Sequence, residues 1–175
     1  MHDVASVMYL TTRTGFQFYV RSADPDDRET LENFFEGVTA DDLRFRFLTA
    51  VEAVAPSQIS RLTHPDRHHV ESFIAFTEDG ALMIASGMLA CDASFEHGEV
   101  AIAIRADHKG KGIGWEFLAL LTKFADEKGV RIVESIESRD NHEAIDLERN
   151  MGFAATPYPG DPTLMLLSRR AGDQR

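Results

Sequence analysis

Residues 109–115 read KGKGIGW, and this run lies between a stretch with the pattern of a strand and one with the pattern of a helix. Glycine tolerates positive φ angles and lets a ligand approach the main chain closely. Successive free N–H groups at the start of a helix, together with the helix dipole, form a site for an anion. Lys109 and Lys111 add positive charge, so this run favours a diphosphate group.

Such a run also fits a tight turn that binds nothing. No Gly-Lys-Ser/Thr ending follows, as the Walker A motif requires, and the glycine spacing differs from that of the dinucleotide-binding fingerprint. The run alone therefore leaves a structural role open.

Periodic patterns extend on both sides of the run. Residues 112–127 predict an amphipathic helix, because apolar residues recur at three- and four-residue steps, and Gly129 ends it. Strands are predicted before it at 70–76, 81–90 and 99–104, with Asp79-Gly80 as a hairpin turn. After it we predict a strand over 131–137, a helix from Asp140 or Asn141 to Met151, an extended segment from Phe153, and a strand over 164–167.

The first part of the chain predicts one strand and two helices. Phe16, Phe18 and Val20 alternate as in a strand, Asp24-Pro25 opens a helix, and Thr39 caps a second helix with an apolar side that extends to Val51. Residues 57–62 predict a short helical turn, and residues 1–12 a loose arm. The whole chain, 1–175, is predicted to be a single α/β domain with a mixed sheet.

Composition narrows the class of partner. Eighteen basic and 29 acidic residues give a formal net charge of −11, which disfavours nucleic acid. It favours a cationic partner such as an amine, although acidity also serves solubility. Cys91 is the only cysteine, no apolar run could span a membrane, and residues 1–14 lack a signal peptide's pattern. We expect a cytoplasmic protein without membrane association.

The stretch from Glu99 to Phe153 resembles the core of the GNAT superfamily of acetyltransferases. The run at 109–114 matches that family's Q/R-x-x-G-x-G/A signature with Lys109 in the first position, and the segments 141–147 and 151–153 match its N-x-x-A and G-F elements. Residues 35–47 and 62–63 resemble the acetyltransferase domain of bacterial protein-lysine acetyltransferases.

The resemblance implies a GNAT fold: a mostly antiparallel, twisted sheet of about seven strands with four helices and a V-shaped splay between the fourth and fifth strands. It also implies acetyl-CoA as co-substrate, with pantetheine along residues 102–104, pyrophosphate on the amides of 110–115, and Asn141 near the thioester. Asn141 also fits a plain helix cap. The coenzyme-binding residues predicted in this way are Ile102, Ala103, Ile104, Lys109, Gly110, Lys111, Gly112, Ile113, Gly114, Trp115 and Asn141.

Acetyl transfer to an amine needs a base, because a lysine-type amine, with a pKa of about 10.4, arrives protonated. Glu99 matches the position where several GNAT lysine acetyltransferases keep a glutamate base, and partial burial there would raise its pKa. Glu96 and His97 are the substitutes if Glu99 points away, and a solvated charge at a strand end is the plain alternative. The oxyanion donor is expected among the backbone N–H groups of residues 102–104.

Glu148 stands where many family members carry a tyrosine that acts as general acid. A carboxylate beside a thiolate would repel it, so we assign Glu148 no acid role. We expect it to face solvent or to contact the substrate. The thiol, with a pKa of about 8.5 by analogy with cysteine, can leave without a dedicated donor.

Other polar residues suggest less. His64, His68, His69 and Asp66 match no zinc-site spacing, so no metal is predicted. Cys91 has no identifiable companion base, which disfavours a nucleophilic role. Arg44 and Arg46 are expected to be solvated charges.

These residues predict an N-acetyltransferase that moves the acetyl group of acetyl-CoA directly to a primary amine. A protein lysine is the favoured acceptor, and a small-molecule amine is the alternative. An acyl-CoA-binding sensor without turnover is the non-enzymatic alternative, and a nucleotide-binding regulatory domain is a third. The oligomeric state, monomer or homodimer, is left open.

Overall fold

The computed structural model describes residues 6–48 and 53–173. Within these ranges eight strands form one sheet in the order β1-β2-β3-β4-β5-β6-β8-β7, accompanied by five α-helices. The strands are β1 (Met8–Thr11), β2 (Gln17–Ser22), β3 (Val70–Thr77), β4 (Met83–Cys91), β5 (His97–Ile104), β6 (Ile132–Ser138), β7 (Ala154–Pro157) and β8 (Leu164–Arg170). The helices are α1 (Arg28–Glu36), α2 (Ala40–Phe47), α3 (Pro56–Thr63), α4 (Ile113–Glu127) and α5 (His142–Asn150).

The predicted mixed, mostly antiparallel α/β sheet is confirmed, because only β5 and β6 run parallel among the paired strands of the described chain. The counts of strands and helices are each one higher than expected. Residues 57–62, predicted as a short turn, belong to the full helix α3. Residues 8–11 pair with β2 instead of forming a loose arm. Residues 1–5 and Val51 lie outside the described residues.

The sheet opens between β5 and β6. These strands pair only where residues 97–99 meet residues 132–134, whereas β5 continues alongside β4 to Ile104 and β6 continues alongside β8 to Ser138. They are the two strands between which the sequence predicted a splay, and β1 makes them the fifth and sixth. The opening forms a cleft with a free strand edge on each side.

Helices cover both faces of the sheet, which is why the central strands are buried on both sides. In β3, Phe73 and Ala75 join the core under α4, while Ile74 and Phe76 join the core under α1, α2 and α3, since successive side chains of a strand point to opposite faces. The predicted apolar face of α4 is buried at Phe117, Leu118, Leu121 and Ala125. No helix in the two described ranges is both long enough and apolar enough to cross a membrane.

Candidate active site

The glycine run forms the turn that leads into α4, and Gly110 and Gly112 adopt φ angles of +75° and +87°. Glycine adopts such angles without the clash that a Cβ atom brings. Among the described residues, no backbone N–H of residues 110–115 donates a hydrogen bond to a protein acceptor. Consecutive free amides at the start of a 15-residue helix are the donors that the sequence predicted for a diphosphate.

The turn between β1 and β2 supports this loop. The Thr14 hydroxyl donates to the Lys111 carbonyl at 3.0 Å, and the Arg13 guanidinium lies over the Trp115 ring, 4.2 Å from its centroid. The prediction of a loose arm missed this support. The alternation is short in the sequence, and the structure shows Leu10 and Thr12 pointing inward while Tyr9 and Thr11 are exposed, as in a strand.

The two lysines of the loop already have partners. The Lys109 Nζ atom lies 2.8 Å from Asp42 Oδ2 and 3.6 Å from Glu143 Oε2, and the hydrogen bond with Asp42 raises the pKa of Lys109. The Lys111 Nζ atom lies over the Phe16 ring, 5.3 Å from its centroid. Carboxylates therefore hold the Lys109 ammonium, whereas the amides of the loop and the Lys111 ammonium have no hydrogen-bond acceptor among the described residues.

The free edge of β5 forms one wall of the cleft. Ile102, Ala103 and Ile104 pair with β4 on one side, and no described strand pairs with them on the other. The cleft is also lined by Gly114 of α4 and Asn141 of α5. An unpaired strand edge presents N–H and C=O groups to an extended ligand, and binding of the pantetheine arm there stays a prediction.

Glu99 lies where the pairing of β5 with β6 stops, and its side chain lines the cleft. The side chain is solvent-accessible, but the cleft walls remove part of its water, and this burial raises the pKa of Glu99. The positive charge of Arg46 opposes the shift, and the negative charge of Glu134 adds to it. A carboxylate with a raised pKa is a stronger base.

The two predicted substitutes for Glu99 point elsewhere. Glu96 accepts a hydrogen bond from Arg131 Nη1 at 2.9 Å, and the His97 Nδ1 atom lies 2.9 Å from Glu134 Oε1. Neither side chain lines the cleft, so the geometry favours Glu99 among the three.

Glu148 is buried, with 6% of its surface exposed, and accepts a hydrogen bond from the Ser135 hydroxyl at 2.6 Å. The expectation that it faces solvent is wrong, because α5 turns Ile145 and Glu148, three residues apart, toward the sheet. Burial raises the pKa of Glu148, while its hydrogen bonds with Ser135 and Glu137 lower it. Its side chain lines the cleft.

Glu137 of β6 lies next to Glu148 and was not singled out from the sequence. Its Oε2 atom accepts a hydrogen bond from Asn141 Nδ2 at 2.9 Å. Burial first, and then the negative charge of Glu148, raise the pKa of Glu137 to about 8. Asn141 also caps α5, since its Oδ1 accepts from the Ala144 N–H at 3.4 Å. The predicted strand 131–137 also carries Arg131, Glu134 and Ser135, so its charge did not set Glu137 apart in the sequence.

Arg46 of α2 lines the cleft close to Glu99 and Glu137, whose negative charges raise its pKa, while burial lowers the pKa by more. Its Nε atom is buried and has no hydrogen-bond partner in the described part of the chain. The expectation of a solvated charge is wrong for Arg46, because α2 packs its C-terminal turn against the cleft. Arg44 stays half exposed beside Asp41 and Asp140.

The remaining candidate groups lie away from the cleft. His69 pairs with Asp66 at 2.8 Å, and within residues 6–48 and 53–173 no cluster of His, Cys, Asp and Glu is arranged to hold a metal ion. Cys91 is half-buried, and burial raises the pKa of its thiol, which makes it a weak nucleophile.

A family of known proteins matches the part of the chain that forms this cleft. The sequence profile of the Acetyltransferase (GNAT) family matches residues 38–153. Acetyltransferase PA5475 of Pseudomonas aeruginosa is 25% identical over 154 residues, which cover 87% of this chain and 83% of that protein.

Two solved structures share the fold. The GNAT domain of S. lividans PAT superposes with a TM-score of 0.86 at 22% identity, over 94% of this chain and 96% of that one. The yncA acetyltransferase of Salmonella typhimurium, solved with its cofactor acetyl-CoA, superposes with a TM-score of 0.70 at 15% identity, over 90% of this chain and 95% of that one. The family profile extends over more than half of the chain and includes the glycine loop, Glu99 and Asn141. The chain belongs to the GNAT family of acetyltransferases.

Proposed function

We propose that this acetyltransferase moves the acetyl group of acetyl-CoA directly to a primary amine. The observation that carries the proposal is the cleft between β5 and β6. The free edge of β5, Glu99 and Asn141 line this cleft, and the glycine loop with its unpaired amides borders it at Lys109 and Gly114. The acetyl-CoA bound by the yncA structure supports the same ligand for this fold. The proposed coenzyme-binding residues are those predicted from the sequence: residues 102–104, residues 109–115 and Asn141.

The free β5 edge at Ile102–Ile104 would hold the pantetheine arm by strand-like hydrogen bonds, and the amides of residues 110–115 would hold the diphosphate. Neither role needs a side-chain charge. This agrees with the pairing of Lys109 with Asp42, which leaves Lys109 a minor part in coenzyme binding.

Glu99 takes a proton from the incoming ammonium, directly or through water, so that the neutral amine attacks the thioester carbonyl. A backbone N–H of the β5 edge stabilises the oxyanion. The C–N bond forms, the C–S bond breaks, and the thiolate of coenzyme A leaves. Because Glu99 must be ionised, kcat should rise as the pH increases through its raised pKa.

The acceptor is a cation before it reacts. Asp42, Glu99, Glu137, Glu143 and Glu148 line the cleft, against the two cations Arg46 and Lys109. This excess of acidic groups favours an amine that arrives protonated. A protein lysine is the favoured acceptor, and a small-molecule amine is the alternative. We expect this reaction to take place in the cytoplasm.

Thiol release from acetyl-CoA, measured with a panel of amines and lysine peptides, tests the proposal. Glu99→Gln should lower kcat by about 10²–10⁴-fold, the usual contribution of an acid–base group, and leave the Kd for coenzyme A unchanged. Glu96→Gln is the matched control, because Glu96 lies outside the cleft, and it should keep wild-type rates. An unchanged rate in Glu99→Gln would remove Glu99 from the mechanism.

Other outcomes identify the alternatives. Tight binding of coenzyme A without thiol release across the whole panel would indicate an acyl-CoA sensor. Binding of ATP but not of coenzyme A would overturn both readings in favour of a nucleotide-binding domain.

A further inference from the structure

We propose that Glu137 is the proton donor to the departing coenzyme A thiolate, with Glu148 and Ser135 as the residues that position it. This inference rests on the proposed acetyl transfer, and it assigns an acid to a site that lacks a tyrosine at position 148. It also gives Glu148 a task other than solvent or substrate contact.

The first observation is the location of the carboxyl pair. Glu137 and Glu148 come from different elements, β6 and α5, and both line the cleft that β5 and Asn141 border. The Asn141 amide, placed near the thioester by the proposed function, donates directly to Glu137 at 2.9 Å. Glu137 is therefore one hydrogen bond from the residue at the reacting end of the coenzyme arm.

The second observation is the shortage of positive charge around the pair. Glu99 on β5, Glu137 on β6 and Glu148 on α5 share this end of the cleft with one cation, Arg46 on α2. The other cleft cation, Lys109 of the glycine loop, is held by Asp42 on α2 and Glu143 on α5. Glu99 is accessible to solvent, but Glu137 and Glu148 are enclosed neighbours with one guanidinium at this end, so ionisation of both is disfavoured and the pair keeps a proton.

Burial and neighbouring charge favour Glu137 as the carboxyl group that keeps it. Each of the two accepts one hydrogen bond, Glu148 from Ser135 at 2.6 Å and Glu137 from Asn141 at 2.9 Å, so the donors alone do not distinguish them. Burial, and then the negative charge of Glu148, raise the pKa of Glu137 to about 8. Two interacting carboxyl groups that share one proton form a coupled acid. A protonated Glu137 does not repel a thiolate, and its pKa lies close to that of a thiol, at about 8.5.

The proton balance of the step is complete. Glu99 takes one proton from the incoming ammonium, and the nitrogen loses a second proton to solvent after it bonds to the carbonyl carbon. Glu99 then releases its proton to solvent. The electron pair of the breaking C–S bond stays on sulfur, which takes the proton from Glu137 and leaves as the free thiol. Solvent then returns a proton to Glu137, and Glu148 with Ser135 restores the starting pair.

The test is the pH dependence of kcat at saturating acetyl-CoA and amine, from about pH 5.5 to about pH 9.5, for variants that replace each carboxyl group by its neutral amide. Wild-type kcat should fall as the pH rises through about 8, because the donor loses its proton. Glu137→Gln should lower kcat about 10²-fold and lose that alkaline decline. Asp146→Asn, an exposed position of α5, is the matched control and should keep the wild-type profile.

Glu148→Gln separates a positioning role from a purely structural one. Without the negative neighbour, the pKa of Glu137 should fall, so the alkaline decline should move to lower pH by at least about one unit. A decline at the wild-type pH in Glu137→Gln or in Glu148→Gln would overturn the assignment. The Kd for coenzyme A and circular dichroism report whether each variant is folded.

A measurement without turnover keeps the two proposals apart. Infrared difference spectra at neutral pH should show a protonated carboxyl band in the wild-type protein that Glu137→Gln lacks, and its absence from the wild type would overturn this proposal. If that band is present but no amine is acetylated, the proposed function fails and Glu137 has no thiolate to protonate. If Glu137→Gln still acetylates amines and keeps the wild-type alkaline decline, the proposed function stands and Glu137 is not the proton donor.

Discussion

The two ends of the cleft are built from different kinds of groups. At the glycine loop the donors are main-chain amides from one short run, residues 110–115, and the nearby lysines are engaged with other groups. At the acidic end the groups are side chains from α2, β5, β6 and α5, where Arg46 lies near Glu99 and Glu137, and Glu148 lines the same cleft. The donors of the loop end are set by backbone φ angles, and the properties of the acidic end are set by side-chain charge.

We therefore expect the loop end to determine coenzyme affinity and the acidic end to determine the rate of acetyl transfer. Main-chain amides do not titrate near neutral pH, so the loop end should hold a diphosphate equally well over a broad pH range. The acidic end includes groups with raised pKa values, at Glu99, Glu137 and Glu148. Changes of pH should therefore alter rate and stability through the acidic end and leave coenzyme affinity nearly constant.

The largest expected effect sharpens the comparison at the acidic end. The pKa of Glu137 is about 8 in the fold and about 4.3 in an unfolded chain, so its contribution to the free energy of unfolding is complete at acidic pH and is lost as the pH rises toward 8. Between about pH 4.5 and about pH 8.5, wild type should lose roughly 2–4 kcal/mol more than Glu137→Gln.

Urea denaturation of both proteins at the two pH values measures this difference, with Asp146→Asn as the control that should follow wild type. Burial raises the pKa of Asp27, but its hydrogen bonds with Arg21 and the Asp24 N–H and the charge of Arg21 together lower it by more, so Asp27 gives the opposite trend. Asp27 is present in wild type and in every variant, so its contribution cancels when the unfolding free energies of the two proteins are subtracted. Parallel pH profiles for wild type and Glu137→Gln would mean that Glu137 is ionised at neutral pH.

A smaller effect is expected at the loop end. Gly112→Ala places a Cβ atom at φ +87° and 3.2 Å from Thr12 Cβ, with a strain of about 1–2 kcal/mol. The Kd for coenzyme A, measured by calorimetry, should rise about tenfold, since about 1.4 kcal/mol corresponds to a factor of ten. The loss should be the same at acidic and alkaline pH.

Gly160→Ala is the matched control for Gly112→Ala. Gly160 has a φ of +85° and no neighbour within 4 Å of an added Cβ atom, and it lies in the turn between β7 and β8, outside the cleft. It should lose stability but keep its affinity for coenzyme A. Equal affinity losses in the two variants would break the comparison, because backbone strain in general would then explain both.

The smallest effect is predicted for Lys109→Ala. Its ammonium is already paired with Asp42, and an exposed ion pair contributes only about 0–1 kcal/mol, so the Kd for coenzyme A should change by less than about threefold. Asp42→Asn, which frees the ammonium, should tighten binding slightly and make it more sensitive to salt. A tenfold loss in Lys109→Ala would show that Lys109 leaves Asp42 for the diphosphate.

Local patterns in the chain were enough to predict the central strands, the helix after the glycine run and the glycine turn with its free amides. Helical and strand periodicity, Asn141 as a cap and glycine at positive φ are properties of neighbouring residues, so they can be found without a fold. The same patterns led to errors where signals were short. Met8–Thr11 alternates over four residues, and its strand is stabilised by pairing with β2 more than by its own composition.

The acidic end could not be found in this way, because its character depends on distance between residues far apart in the chain. Nothing adjacent to Glu137 shows that Glu148 and Arg46 will lie beside it, and burial changes the preferred charge of each. The glycine loop was predictable since its chemistry belongs to consecutive peptide groups. The raised pKa of Glu137 arises only when the fold brings α5 and β6 together, because folding then removes water and places like charges side by side.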